Sequence, residues 1–288
     1  MSYTDRRFIA PFPSLAKLGC FLILSLLSAS SSIADVSLSA STFFGAIGRD
    51  TIEAADVGLS GDIYVAGAIE LGDRWSAIAT PVDTTLNDAG VVVARLSSDL
   101  STLQRVSLLE NFAVRELAVA PAGDVYVAGH TVYSSSNLCG NGTTNCNIVI
   151  LRLNSDLTAI LGRTEIGGND LDELAAMTIA NDGSLVLAGT TESPNFPVTS
   201  GSYDASCGDN GQCDGTESTD FFGNNGHHSD GFIAVLDANL QGVQRGTFLG
   251  GNNTDEITAL AIDSDGDIYV AGSAISSGFP TSSDAYQS

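Results

Sequence analysis

Apolar residues in this chain fall in short alternating runs, and the runs return at long intervals. The clearest is a glycine-bracketed heptapeptide: Gly61-Asp-Ile-Tyr-Val-Ala-Gly67, Gly123-Asp-Val-Tyr-Val-Ala-Gly129, Gly183-Ser-Leu-Val-Leu-Ala-Gly189 and Gly266-Asp-Ile-Tyr-Val-Ala-Gly272. Its leading glycines stand 62, 60 and 83 residues apart. Apolar residues precede each of them at fixed offsets: Val57, Val119, Ile179 and Ile262 four positions before, Ala55, Leu117, Met177 and Leu260 six before, Ile52, Val114, Leu174 and Ile257 nine before. A short apolar segment that ends in a Gly/Asp turn and runs into the next strand predicts a β-hairpin. Glycine accepts positive φ there, and aspartate hydrogen-bonds its own backbone.

A third strand is predicted after each hairpin, at Val91–Leu96, Ile148–Leu153 and Gly231–Leu236. Each ends in a turn of one rhythm, Ser98-Asp99-Leu100, Ser155-Asp156-Leu157 and Ala238-Asn239-Leu240. A fourth stretch closes the unit, clearest at Arg163–Gly168 and Gly246–Gly251, and Ser41–Gly45 matches it ahead of any hairpin. Four antiparallel strands per repeat of this length describe a propeller blade, with Ser41–Gly45 an outer strand supplied early. The expected fold is all-β: a partial or open β-propeller of about three and a half blades, in repeats at 41–101, 102–162, 163–245 and an incomplete 246–288. One loop explains the long interval. From hairpin end to third strand takes 24 residues at Gly67–Val91 and 19 at Gly129–Ile148, but 42 at Gly189–Gly231.

These motifs resemble the bacterial seven-bladed β-propeller repeat called SBBP. Thr247–Gly251, Ala259–Asp263, Gly266–Gly272, Phe279-Pro280 and Ala285-Tyr286 match its pattern in order. The third repeat matches with Ile166-Gly167-Gly168, Phe196-Pro197 and Tyr203; the first two repeats are degenerate. The resemblance covers about Ser41 onward, and implies a propeller fold in a secreted setting and no general catalytic motif.

The N-terminus changes the picture of where the protein works. Arg6, Arg7 and Lys17, an apolar stretch at Leu18–Leu27 and a small-x-small site at Ser32-Ile-Ala34 predict a secretory signal over 1–34. The apolar stretch is too short for a bilayer span of about 20 residues. The expected mature chain, 35–288, keeps 8 arginines, 33 acidic residues and no lysine. Nucleic acid and anionic membrane surfaces are therefore poor partners, so neither nucleic-acid binding nor a membrane span is expected. The acidity suits a soluble secreted surface, a saline habitat or loose divalent-cation binding, and composition does not choose among them.

Apart from Cys20, the cysteines form two close pairs, Cys139/Cys146 and Cys207/Cys213, each between the second and third strands of a blade. In an exported chain such pairs predict disulfides. Zinc is the weaker reading: His227 and His228 lie near the second pair, but thiolate sites use tighter spacing.

Candidate chemistry is sparse. Asp263, Asp265 and Asp267 alternate beside Gly266 as in a calcium loop, yet the twelfth position is Ala274 instead of Glu, so a hairpin turn with at most weak calcium binding is expected. Asp50, Asp172 and Asp255 share one register, eleven residues before the leading glycine, which suits turn capping or ties between blades better than an asymmetric catalytic site. The insertion 204–230 is the non-repeating feature, and a candidate ligand loop. It holds Asp209, Asp214, Glu217, Asp220, Phe221, Phe222, His227 and His228. No cofactor motif accompanies it. The expected function is a non-catalytic binding or scaffold module at the cell surface or outside the cell, for a protein or glycan partner. The alternative is a carbohydrate-active hydrolase or lyase using the 204–230 carboxylates. Pairing of two partial propellers, or further blades in a longer chain, would close the ring.

Overall fold

Each leading glycine sits where the sequence needs a left-handed residue: φ is 81° at Gly61, 96° at Gly123, 86° at Gly183 and 90° at Gly266. Two strands therefore meet at each such turn. Residues 41, 50–70, 80–81, 89–131, 146–208, 211, 213 and 228–286 are described, in a computed structural model. The expected signal segment 1–34 and the expected strand Ser41–Gly45, apart from Ser41, lie outside the described residues.

Three sheets and a hairpin follow one another. The first comprises β1 (Ala54–Val57), β2 (Ile63–Glu70), a short β3 (Thr80–Pro81), β4 (Ala89–Leu96) and β5 (Leu103–Leu109), in the order β1-β2-β4-β5-β3. The second is β6 (Phe112–Val119), β7 (Val125–Thr131), β8 (Ile148–Leu153) and β9 (Ile160–Ile166), and the third β10 (Asp172–Ile179), β11 (Leu185–Thr191), β12 (Asp230–Leu236) and β13 (Val243–Leu249), each in sequence order. The fourth holds β14 (Asp255–Ile262) and β15 (Ile268–Ala274). Apart from β3, which runs parallel to β5, every pairing is antiparallel. Among the described residues this is a partial propeller of about three and a half blades, and their sheets form no closed ring.

The second glycine of each heptapeptide has a different cause. The first strand of the hairpin bulges opposite it, at Arg115 in β6, Ala175 in β10 and Thr258 in β14. A Cβ on Gly129, Gly189 or Gly272 would come within 1.8–2.0 Å of a carbonyl oxygen of the neighbouring strand, and one on Gly67 within 1.8 Å of the Thr51 carbonyl oxygen just ahead of β1. The glycine–glycine bracket thus records one turn and one bulge.

Blades bury both faces of their central strands. In β7, Val125 and Val127 pack toward the first blade with Val93, Leu117 and Leu151, whereas Tyr126 and Ala128 face the third with Leu174, Leu185 and Phe232. Each such Val, Leu or Phe contributes roughly 1.5–3 kcal/mol by leaving water.

A meander of this kind sends its connections alternately to two ends. One end, the turn face, carries the hairpin turns and the turns from third to fourth strand. Those latter turns put a leucine in the left-handed region each time, at Leu100 (φ 59°), Leu157 (φ 55°) and Leu240 (φ 60°). A β-carbon there costs about 1–2 kcal/mol, which burial of the leucine side chain offsets, since all three are buried. The same face carries ion pairs. Arg95 holds Asp62 through Nε at 3.1 Å and Nη2 at 2.5 Å, and reaches the next blade at the Ser155 carbonyl. Arg152 likewise holds Asp124 and donates to the Ala238 carbonyl at 3.0 Å.

Candidate binding face

The opposite end, the loop face, gathers the connections from second to third strand and those between blades. Its loops are unequal: 71–88 in the first blade, 132–147 in the second and 192–229 in the third. Thr191 and Asp230 are register partners, so the longest loop leaves and returns at one point of the sheet. Its first part lies along the edge of β13, where the Thr199 amide donates to the Gly246 carbonyl and the Phe248 amide to the Asp204 carbonyl. That covers an edge strand that would otherwise present unpaired backbone. Phe196 plugs the blade, with ring centroids 4.4 Å from Phe232 and 6.3 Å from Phe248. The Phe-Pro motif is therefore a core plug.

The same loop contains the Cys207–Cys213 disulfide. Both cysteines are 1% exposed and belong to the core between the second and third blades, so the bridge seals a blade. Cys146 is also disulfide-bonded and fully buried, and its carbonyl accepts the Asp172 amide at 2.8 Å. Its expected partner Cys139 lies outside the described residues, as do Asp209, Asp214, Glu217, Asp220, Phe221, Phe222 and His227. His228 is described and half-buried.

Turns between blades are held by the recurring aspartates. The Asp172 carboxylate accepts the Gly168 amide at 2.7 Å, the Ser193 hydroxyl at 3.0 Å and the Thr191 hydroxyl. Asp255 accepts the Gly251 amide at 2.8 Å and the Ser276 hydroxyl at 2.5 Å. Gly168 follows the second blade and Asp172 opens the third, so the carboxylate ties two blades, and Asp255 repeats the tie one blade later. Burial pushes the Asp172 carboxyl up to about 6, opposed by its three donors. Beside it, buried His130 accepts the Leu174 amide at 2.8 Å through Nε2, and burial drives its imidazole down to about 4.

A polar groove of about 320 Å³ crosses the innermost strands, lined by Arg115, His130, Glu173, Thr190, Glu256 and Thr258 among others. Arg115 and Thr258 are bulge residues, so the extra residue re-aims a side chain at the groove. Glu173 and Glu256 share a register ten residues before the leading glycine. The sequence pattern carried the signal: the apolar positions step by two and then by three, and the odd step marks the extra residue. The groove offers carboxylates, a guanidinium and hydroxyls to a polar ligand.

Asp263, on the turn face, is a turn-former. Its carboxylate accepts the Asp265 and Asp267 amides, each at 3.0 Å, and the Tyr269 hydroxyl at 3.0 Å. Among the described residues no group of three or more His, Cys, Asp or Glu side chains could hold a metal ion. No helix among them is long and apolar enough to cross a membrane.

Comparisons with known proteins agree with this geometry in one segment. The family model described as a β-propeller repeat, SBBP, matches residues 245–280. No curated protein matches the chain. Among solved structures, the chain is similar to an acylaminoacyl peptidase of Pyrococcus horikoshii, at 8% identity and TM-score 0.36, over 77% of this chain and 32% of that one. A second acylaminoacyl peptidase, in complex with a chloromethyl ketone, gives 10% identity and TM-score 0.34 over 77% of this chain and 31% of that one. A mannose phosphorylase from Leishmania mexicana gives 11% and 0.27 over 78% and 80%. The chain spans about a third of the length of these peptidases, and scores this low carry no argument about activity. Residues 245–280, which run from β13 through the hairpin β14–β15 to Pro280, match the SBBP β-propeller repeat, and the described residues around them form an all-β partial propeller.

Proposed function

We propose that the protein is exported under the 1–34 signal and acts outside the cell or on its surface as a non-catalytic binding module, presenting ligand to its loop face. One observation carries the reading. The long, unequal connections from second to third strand, in which the sequence carries its two close cysteine pairs, all start and finish at the same end of the stack, while the other end carries near-identical turns. The recurring carboxylates Asp172 and Asp255 are engaged in joining blades, which supports a structural task for them. The ligand is a protein or glycan, with the polar groove and the 204–230 loop as the contact region. Any calcium bound is weak and salt-sensitive.

A glycan array and a turnover assay on the secreted protein test this together. We expect saturable binding, lost on joint replacement of Phe221 and Phe222 by alanine, without bond cleavage. Cleavage abolished by Glu217→Gln or Asp220→Asn would replace the binding reading with a hydrolytic one. Intact mass of the protein from its secretion host should begin at Asp35; a species retaining residues 1–34 would overturn export.

A further inference from the structure

Charge along the innermost strands departs from the repeat. The residue eight before the leading glycine is Glu53, Arg115, Ala175 and Thr258 in the four repeats, and the residue ten before it is Thr51, Ala113, Glu173 and Glu256. A cation therefore occurs at one of these bulge positions only, and acids at the matching places of the next two blades. Arg115, Glu173 and Glu256 all line the polar groove of about 320 Å³. Asp172 and Asp255 recur because every joint needs the same tie, whereas charges that break the repeat belong to one place in the molecule.

None of the three is engaged. Arg95, Arg152 and Arg163 each hold a carboxylate, whereas Arg115, Glu173 and Glu256 take part in no ion pair among the described residues. His130 adds a donor to them. Its side chain lines the groove although the residue is only 2% exposed. Nε2 accepts the Leu174 amide, so the proton of the neutral ring sits on Nδ1. Burial, with Arg115 beside it, drives the imidazole down to about 4 and so keeps it neutral at ordinary pH. The Nδ1–H makes no hydrogen bond among the described residues. The groove thus offers a guanidinium and an N–H from the second blade, then one acid from the third and one from the fourth. Its apolar lining is aliphatic, at Leu174, Ala175 and Ile257, and no Phe, Tyr or Trp gives a sugar ring a flat face to lie on.

We propose that this groove binds a lysine- or arginine-type unit with a free α-carboxylate. The carboxylate sits on Arg115 and the His130 Nδ1–H, the methylene chain lies along Leu174 and Ile257, and the side-chain cation is held by Glu173 and Glu256. The inference rests on the reading of the loop face as a binding face, and gives that face a ligand chemistry. Two sources carry it: the C-terminal residue of a protein partner, or a free basic amino acid. The strongly acidic chain draws the cationic end toward the molecule, and the lone guanidinium sets the direction in which the unit lies.

Calorimetric titration of the secreted protein with the tripeptide Gly-Gly-Lys, its C-terminal amide, Gly-Gly-norleucine and free lysine reads each contact. We expect Gly-Gly-Lys to bind about ten-fold more tightly than its amide or the norleucine peptide. In Arg115→Gln the acid and the amide should bind alike. In the double variant Glu173→Gln with Glu256→Gln the lysine and norleucine peptides should bind alike. Arg115 and Glu256 are exposed and Glu173 is half-buried, so these variants keep the fold, which circular dichroism checks. Free lysine binding as tightly as the tripeptide assigns the unit to a free amino acid, and weaker binding assigns it to a chain terminus; both uphold the proposal. Equal binding of acid and amide by the unaltered protein, or preferences that survive the substitutions, would overturn it. So would glycan or protein binding without any binding of Gly-Gly-Lys or lysine at millimolar concentration, which would leave the loop-face reading standing. Absence of every one of these ligands would bring down that reading as well.

Discussion

The two ends of this stack use the same residue type for opposite purposes. On the turn face aspartates are held ionised, whether exposed as at Asp99 and Asp182 or drawn in as at Asp62 and Asp263: Asp99 is pulled down to about 2 by the Ser97 hydroxyl and by Ser101, and Asp62, Asp182 and Asp263 are likewise lowered by hydrogen bonds from Arg95, Ser184 and the Asp267 amide. On the loop face Asp172 is buried, raised to about 6, and bonded across the joint between blades. Turn-face acids fix local turns that every blade repeats. The loop-face acid fixes how one blade meets the next, and so holds still the end from which the variable loops project. Rigidity beneath variable loops is what a binding face requires.

The most damaging change should strike the loop-face end of a second strand. A Cβ at Gly129 would lie 1.9 Å from the Ala113 carbonyl oxygen, across the β6 bulge. Relief requires moving backbone in a strand packed on both sides. Gly129→Val should therefore cost more than about 4 kcal/mol and leave little folded protein, as measured by denaturant unfolding. The turn-face control is Gly123→Ala, strained by its φ of 96° with the Ser155 Cβ only 3.1 Å away; about 1–2 kcal/mol is expected. Equal costs would mean that the two ends do not differ in rigidity.

Next comes the joint itself. Asp172→Ala strips the acceptor from two hydroxyls and the Gly168 amide at a wholly buried site. Stranded donors of this kind cost about 2–4 kcal/mol in total. Arg152→Met, at the same joint's turn-face end, removes a pair whose side chains are 20% and 19% exposed. About 1 kcal/mol is expected, and thermal melting of both variants gives the ratio. A loss at Arg152 as large as at Asp172 would erase the distinction between the faces.

How much of this was legible beforehand follows a physical line. The hairpins, the third strands and the partial propeller were readable because alternation and turn glycines are local signals. Asp172 and Asp255 were readable as blade ties because a repeated register points to a repeated structural task. The bulge was present in the pattern as the odd step between apolar positions, but its consequence, Arg115 and Thr258 re-aimed at a groove with Glu173 and Glu256, depends on strands far apart in sequence. The left-handed leucines were visible only as a rhythm ending in Leu100, Leu157 and Leu240; their conformation follows from the burial of the side chain, which no turn propensity encodes. Cys207 and Cys213 illustrate the same limit. Their spacing indicated a bridge, and only tertiary packing shows it closing the blade core.

The smallest expected effect is also the most selective, because two neighbouring loop-face groups oppose each other. His130 is depressed from 6.5 to about 4 by burial and by Arg115, so its neutral form stabilises the fold fully above pH 6.5 and this contribution is lost as pH falls toward 4. Asp172 is raised from 3.8 to about 6, so its contribution is fully present below about pH 4 and is lost as pH rises through 6. Between pH 4 and 6 the two slopes have opposite sign and similar size. Glu116, pushed up to about 7 by burial, titrates toward the same window with the sign of Asp172, so the comparison belongs in a Glu116→Gln background. There, stability should change by no more than about 1 kcal/mol from pH 4 to 6 as far as this pair is concerned. His130→Gln keeps an acceptor for the Leu174 amide and removes one slope, and the double variant should then lose stability as pH rises across that interval. Urea midpoints at half-unit pH steps measure it. A profile unchanged by His130→Gln would show that the imidazole does not titrate with folding, and that the loop-face joint is held by Asp172 and packing alone.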